Sequence, residues 1–149
     1  ERALRKAWLT NGAGVKTNSI MMGESLTLYF QFRCSRPIKN PGFGFGIEDE
    51  YGRRVFSLNN YIAPARMNTF KSLEAGVASL HIPNLPLLPG TYFVSLSLVE
   101  DERGWVDFVE RALAFHVYAM DVFGSGKIPD RKQGIVFIPG QISVESDMV

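Results

Sequence analysis

Glu24-Ser25-Leu26-Thr27-Leu28-Tyr29-Phe30-Gln31-Phe32-Arg33-Cys34 is the stretch that decides the fold class. Leu26, Leu28, Phe30, Phe32 and Cys34 fall on one side of an extended chain, and Thr27, Tyr29, Gln31 and Arg33 on the other, because successive side chains of a strand point to opposite faces. Such a strand buries one face and wets the other. The same alternation returns in Phe43, Phe45, Ile47, in Ala78, Leu80, Ile82, in Tyr92, Val94, Leu96, Leu98 and in Leu113, Phe115, Val117. Turn signals close each run: Arg36-Pro37, Asn40-Pro41-Gly42, Tyr51-Gly52, Pro83, Pro89-Gly90 and Glu102-Arg103-Gly104. Strands are therefore expected near 3–10, 25–34, 42–49, 53–58, 75–82, 91–99, 111–118 and 134–139. Short strands at this spacing, with no sustained helical period, predict an all-β fold: an antiparallel, immunoglobulin-like β-sandwich of about seven strands.

The chain has 149 residues, 46% of them hydrophobic and 21% charged, enough for one folded domain with a proper core. Sixteen basic and fifteen acidic side chains leave a net charge of +1, too small a field to draw nucleic acid or anionic lipid. Cys34 is the single cysteine, so no internal disulfide and no multi-cysteine metal site is available. No apolar run reaches the roughly 18 to 20 residues that span a bilayer, and Glu1-Arg2-Ala3-Leu4-Arg5-Lys6 is no signal peptide, so direct membrane insertion is not expected. The sequence lacks an initiator methionine and begins in alternating residues, which reads as a single β-sandwich domain over 1–149 cut from a longer protein. Within it, 118–149 reads as a loosely tethered C-terminal strand and tail.

Asn59 to Ser72 and Met120 to Gln133 read as loops, the second unusually long for a compact domain. A strand at 134–139 hung on such a tether can pair with its own sheet or with that of a second copy, the geometry of strand exchange in a dimer.

Three segments together resemble one family: Pro37-Ile38-Lys39-Asn40-Pro41-Gly42-Phe43-Gly44-Phe45-Gly46-Ile47-Glu48-Asp49 with Gly52-Arg53-Arg54-Val55-Phe56; Ile82-Pro83-Asn84-Leu85-Pro86-Leu87-Leu88-Pro89-Gly90-Thr91-Tyr92; and Trp105 through Val117 with Glu110-Arg111-Ala112. They are similar to the C-terminal domain of Wzt, the ATP-binding subunit of ABC transporters that export bacterial O-antigen polysaccharide. The resemblance implies a cytoplasmic carbohydrate-binding sandwich, peripheral to the inner membrane through the transporter's membrane subunit, that recognises the finished, often capped, end of the glycan. It also implies an ATPase domain N-terminal to this chain and a homodimer with C-terminal strand exchange. In the family the last strand is often followed by a tryptophan, whereas Gly140-Gln141-Ile142 follows Pro139 here.

Candidate chemistry is thin. Gly124-Ser125-Gly126-Lys127 resembles a phosphate-binding loop, but Ile128 stands where that motif needs a hydroxyl residue and its first glycine is missing. Glu48, Asp49, Glu50 and Glu100, Asp101, Glu102 offer carboxylates of the kind a glycosidase pairs, yet both sets end strands beside turns and read as solvated hairpin charges. Cys34 reads as a core thiol. His81 and His116 lack metal-ligand spacing or a nucleophile partner. No catalytic residue, cofactor or metal is expected.

Binding therefore falls to outward strand positions. With strand 25–34 between 3–10 and 75–82, Tyr29, Gln31, Arg33, Ser79 and His81 share a face that mixes a ring with planar polar groups. Sugars present hydroxyl pairs and C–H patches, which call for an aromatic platform and forked donors and acceptors, and Arg33 suits an anionic cap. The alternative face carries Gly44, Gly46, Phe93, Ser95, Ser97, Ala114, His116 and Tyr118. Its alternating glycines bare the backbone to a ligand, strand or loop. Asn59, Asn60, Tyr61, Arg66 and Asn68 are candidate closing-loop residues. Trp105, Phe108 and Val109 are expected to anchor a loop to the core, and Trp8 to lie in the core or an interface. Three functions fit: a glycan-binding module, a purely structural dimerisation domain of a transporter ATPase, and an appended domain of a glycan-modifying enzyme.

Overall fold

The computed structural model describes residues 2–64 and 72–146. Eight strands follow one another: β1 (Leu4–Thr10), β2 (Ser19–Met21), β3 (Leu26–Lys39), β4 (Pro41–Asp49), β5 (Arg54–Asn59), β6 (Ser72–Ile82), β7 (Gly90–Glu100) and β8 (Gly104–Tyr118). They form a three-stranded sheet in the order β1-β3-β6 and a five-stranded sheet in the order β2-β8-β7-β4-β5. Every pairing is antiparallel except that of β2 with β8. This is the expected sandwich, with the decisive strand flanked by the two predicted neighbours.

The alternation in β3 explains how the layers meet. Leu26, Leu28, Phe30, Phe32 and Cys34 are all buried. Phe30 packs on Phe43 and Phe45 of the facing sheet with ring centroids 6.1 and 5.1 Å apart, and Phe32 meets Phe43 at 5.1 Å. Tilted rings at such distances add to the burial of apolar area that holds the sheets together. Burial also raises the pKa of the Cys34 thiol, as suits a core residue rather than a nucleophile.

The alternating glycines of β4 lie on its other face, and the chain's own side chains cover them. A Cβ at Gly42 would come within 2.3 Å of the Tyr61 ring, and one at Gly44 within 2.1 Å of Ser97 Oγ. At Gly46 it would meet the Arg54 guanidinium carbon at 3.0 Å and a Glu48 carboxylate oxygen at 3.2 Å. No separate strand or ligand is required to account for these glycines.

Some expectations need correction. β8 runs unbroken from Gly104 rather than from 111. It carries a bulge in which Val94 pairs with Leu113 but Leu96 with Val109, with Arg111 at φ 49° inside it. Residues 134–139 form no sheet strand. Val136 makes an isolated bridge to Leu87, Leu88 N–H donates to the Ile135 carbonyl (2.8 Å) and Phe137 N–H to the Pro86 carbonyl (2.9 Å). The segment thus lies on the approach to β7 of its own chain, and the Arg131 guanidinium pins it to Asp49 and Glu50. Trp105 and Phe108 are no core anchors: they are 69% and 39% exposed and touch each other edge to face. Val109 is half-buried against the core.

Candidate functional site

The outward face of the three-stranded sheet is built by register. Tyr29 on β3 stands opposite Trp8 on β1 and Ser79 on β6; Gln31 opposite Lys6 and Val77; Thr27 opposite Thr10 and His81; and Arg33 opposite Ala75. The five residues expected here, Tyr29, Gln31, Arg33, Ser79 and His81, are therefore on one face. Trp8, expected in the core or an interface, joins them. Its indole lies flat on the Tyr29 ring, with centroids 5.2 Å apart and planes 6° from parallel.

Polar groups surround this double ring. Lys6 Nζ and Lys16 Nζ stand 5.8 and 5.7 Å from the centre of the Trp8 ring, inside cation–π range. Thr27 Oγ1 and His81 Nδ1 are hydrogen-bonded at 2.9 Å. Gln31 and Ser79 are exposed beside them. The outward positions thus combine a flat apolar platform with amide, hydroxyl, imidazole and ammonium groups, and none of them is a carboxylate.

The alternative face is built differently. Ser95 is buried and its hydroxyl donates to Glu48, whose carboxylate also pairs with Arg54 at 2.6 Å. Ser97 fills the space over Gly44, and Arg54 and Glu48 fill that over Gly46. The Arg111 guanidinium lies 4.4 Å from the centre of the Phe93 ring, and Thr91 Oγ1 contacts His116 Nδ1 at 3.3 Å. Tyr118 is exposed at the far edge, paired in register with Met21. These groups are engaged with one another, so the bare backbone read from the sequence is not there.

The loop residues are committed as well. Asn59 Oδ1 accepts from the N–H groups of Tyr61 and Ile62, both at 3.0 Å. Asn60 accepts from Phe43 N–H at 2.6 Å and donates to the Pro41 carbonyl at 3.0 Å. Tyr61 donates its hydroxyl to the Asn40 carbonyl at 2.6 Å. Arg66 and Asn68 lie outside the described residues.

Most of the carboxylates are structural rather than solvated. Asp49 is fully buried: burial pushes its pKa up, but hydrogen bonds from the Arg53 and Tyr51 N–H groups and the Arg53 guanidinium outweigh that and hold it below 3.8. Glu50 pairs with Arg131 at 2.8 Å. Glu100 takes a bidentate grip from Arg36, at 2.8 and 2.9 Å, and accepts from Lys39 N–H at 2.8 Å. These bonds hold its pKa down to about 2. Asp101 and Glu102 alone fit the solvated reading, exposed at the hairpin tip. In the phosphate-loop look-alike, the Ser125 and Gly126 N–H groups are spent on the Asp121 carboxylate at 3.1 and 2.8 Å.

Two concavities adjoin the platform. One, of about 710 Å3, opens between the edge strands β5 and β6; Phe32, Phe43, Phe45, Leu58 and Leu73 make its lining mostly apolar. The other, of about 470 Å3, continues from Arg33 into a polar cleft with Arg5, Ser35, Arg36, Glu100 and Trp105.

The family described as the Wzt C-terminal domain matches residues 3–136. The chain belongs to that family. A solved structure, "Crystal structure of the C-terminal domain of wzt", has the same fold: TM-score 0.74 and 14% sequence identity, with 97% of this chain and 86% of that one covered. No curated protein matches the chain. The Wzt C-terminal match spans both sheets and ends at Val136, the residue that bridges Leu87. No helix among the described residues is long and apolar enough to cross a membrane.

Trp8, expected in the core or an interface, stands outward beside Tyr29, and Leu9 next to it is buried.

Proposed function

We propose that this Wzt C-terminal domain is a non-catalytic carbohydrate-binding module that holds the end of a bacterial O-antigen polysaccharide on the outward face of β1, β3 and β6. The single observation that carries the reading is the coplanar Trp8–Tyr29 pair set among Lys6, Gln31, Thr27, Ser79 and His81 on an exposed sheet. A flat ring pair offers a sugar's C–H face an apolar surface, and the polar rim exchanges hydrogen bonds with its hydroxyls. Glu48, Asp49, Glu50 and Glu100 are tied to arginines, which leaves them poorly placed as a general acid and nucleophile.

Each sugar hydroxyl trades water for protein with a small net gain, so one site binds modestly and two linked copies retain a chain far better. That favours action as a homodimer, attached through an N-terminal ATPase domain to the transporter's membrane subunit, at the cytoplasmic side of the inner membrane. Exposed Ile138, Ile142 and Val144 on the C-terminal tail support contact with a second copy, including strand exchange.

Titration with purified O-polysaccharide, followed by tryptophan emission and calorimetry, tests the reading. Saturable binding that Trp8→Ala and Tyr29→Ala abolish without altering oligomeric state is the expected result. A dimer that retains no glycan would leave a purely structural dimerisation domain.

A further inference from the structure

After β8 the chain folds back on its own sandwich as an arm. Residues 131–137 carry the docking contacts: Arg131 with Asp49 and Glu50, the Ile135 carbonyl with Leu88 N–H, Phe137 N–H with the Pro86 carbonyl, and Ile135 and Phe137 packed against the core. Between the end of β8 at Tyr118 and this arm lies a tightly closed turn. The Asp121 carboxylate accepts from the N–H groups of Ser125 and Gly126 at 3.1 and 2.8 Å, and the Asp121 carbonyl from Gly124 N–H at 3.3 Å. Gly124 and Gly126 take φ 72° and 83°, left-handed backbone in which a side chain is strained. Lys127 N–H closes on Ser125 Oγ at 3.2 Å. The reversal brings Phe123 edge to face with Phe137, ring centroids 6.3 Å apart, and packs Val122 and Phe137 over Gly23, where a Cβ would meet them at 3.7 and 3.9 Å.

The arm and the turn differ in one respect. The arm's partners belong to the body of the sandwich, so a second copy offers Arg131, Ile135 and Phe137 the same Asp49, Glu50, Leu88 and Pro86. Docking on either body is then equal at the arm, and an equilibrium moves only with what differs between its two states. What differs is the connection. Folded back, the chain needs the left-handed reversal at Gly124 and Gly126; carried over to a neighbour, it can run extended. By accepting two N–H groups of that reversal, the Asp121 carboxylate stabilises the folded-back form.

We infer that the turn closed by Asp121 is a latch that keeps the C-terminal arm on its own subunit, and that opening it passes the arm to a second copy without loss of a docking contact. The inference rests on the homodimer reading above and adds the element that decides whether the arms are exchanged. A short connection also gives the arm an effective concentration on the order of mM toward its own body, so separate copies at micromolar concentration keep their arms while tethered copies exchange more readily.

The bridge between Leu87 and Val136 supplies the reporter. The bonds on either side of it make it a non-hydrogen-bonded antiparallel pair, whose Cα atoms stand about 4.5 Å apart, inside the span of a disulfide. A chain carrying Cys34→Ser, Leu87→Cys and Val136→Cys therefore locks as a monomer when the arm is its own and as a covalent dimer when the arm is exchanged, and a non-reducing gel separates the two. At micromolar concentration this chain should lock within itself. Asp121→Ala and Gly126→Val should each raise the ratio of interchain to intrachain product about tenfold. Arg131→Ala, which weakens docking on either body, should lower the yield of both products and leave their ratio alone. Light scattering on chains that keep Leu87 and Val136 should show the doubly substituted Asp121→Ala, Gly126→Val chain to be the more dimeric. Interchain locking with the turn intact, intrachain locking that survives both substitutions, or an arm that locks nowhere once the turn is opened overturns the inference. Dimers whose arms lock within the chain in every variant overturn it and leave the homodimer reading standing. Monomers throughout, at every concentration, overturn both.

Discussion

The Arg131 guanidinium reaches the buried carboxylate of Asp49 at 3.3 Å across a separation of 82 positions, and its other nitrogen reaches Glu50 at 2.8 Å. It thereby fastens the C-terminal segment to the β4–β5 turn. Asp49 keeps its Arg53 partner when Arg131 is removed, so the body of the sandwich should survive Arg131→Ala. The segment should not stay docked. Loss of a charge-assisted pair costs about 1–2 kcal/mol of local stability, equivalent to roughly tenfold faster proteolysis between Met120 and Gly134. Limited proteolysis with mass spectrometry checks this, and an unchanged cleavage rate would show the backbone bridge at Val136 to be sufficient.

Trp8 and Tyr29 should behave as a coupled pair. Each ring covers one side of the other, so Trp8→Ala exposes Tyr29 and loses roughly 1 kcal/mol of stacking along with the burial. A double-mutant cycle on thermal stability should show coupling of about 0.5–1.5 kcal/mol between them, and none between Trp8 and His81, which pairs with Thr27 instead. In glycan titrations both single variants should lose most of the affinity.

Much of the fold was legible because β3 alternates without interruption from Leu26 to Cys34, and its parity fixed both the inner rings and the outward Tyr29, Gln31 and Arg33. Trp8 was not legible for a specific reason. Leu4 is buried, and counting by twos from it places Trp8 inside as well. The register shift between Leu4 and Lys6 inverts that count, so that Ala7 and Leu9 face inward and Trp8 outward. The same kind of break at Arg111 hid the continuity of β8. β2 has three residues, too few to show a period, and pairs only because Ile20 is buried against the core. Asp49 read as solvated because one of the groups that hold it, Arg131, is remote in sequence.

The glycines of β4 make a graded prediction. Gly44→Ala meets only the Ser97 hydroxyl, which can turn away, so Ser97→Ala in the same chain should restore most of the lost stability. Gly42→Ala meets the Tyr61 ring, which is fixed by its hydroxyl's bond to the Asn40 carbonyl and by the Glu102 N–H bond to that hydroxyl. It should cost more, about 1–3 kcal/mol, because the ring must be displaced. Urea midpoints of the three variants rank these costs; a Gly44→Ala defect that Ser97→Ala fails to relieve would mean that the backbone of β7, not the hydroxyl, sets the limit.

Stability should fall at both ends of the pH scale, from identifiable groups. Glu100 has its pKa lowered from 4.5 to about 2 by the Arg36 side-chain bonds and the Lys39 N–H. A lowered carboxylate contributes stability that is fully present above the unfolded value and is lost as pH falls through the folded one, so the window runs from about pH 4.5 down to about 2. Asp49, also lowered, acts with the same sign below 3.8. Tyr92 acts with the opposite sense: burial raises its pKa from 10.0 to about 12, and its hydroxyl donates to the Leu88 carbonyl. Its contribution is complete below pH 10 and disappears as the pH climbs from 10 to about 12. Melting temperatures followed by near-ultraviolet circular dichroism should therefore show a plateau with two shoulders. Arg36→Gln should lower the plateau yet converge on the wild type as the pH approaches 2, because the protonated Glu100 no longer needs its partner. Tyr92→Phe should flatten the alkaline shoulder alone. A constant gap between wild type and Arg36→Gln across the acid limb would separate the Arg36 contact from the titration of Glu100 and refute the linkage.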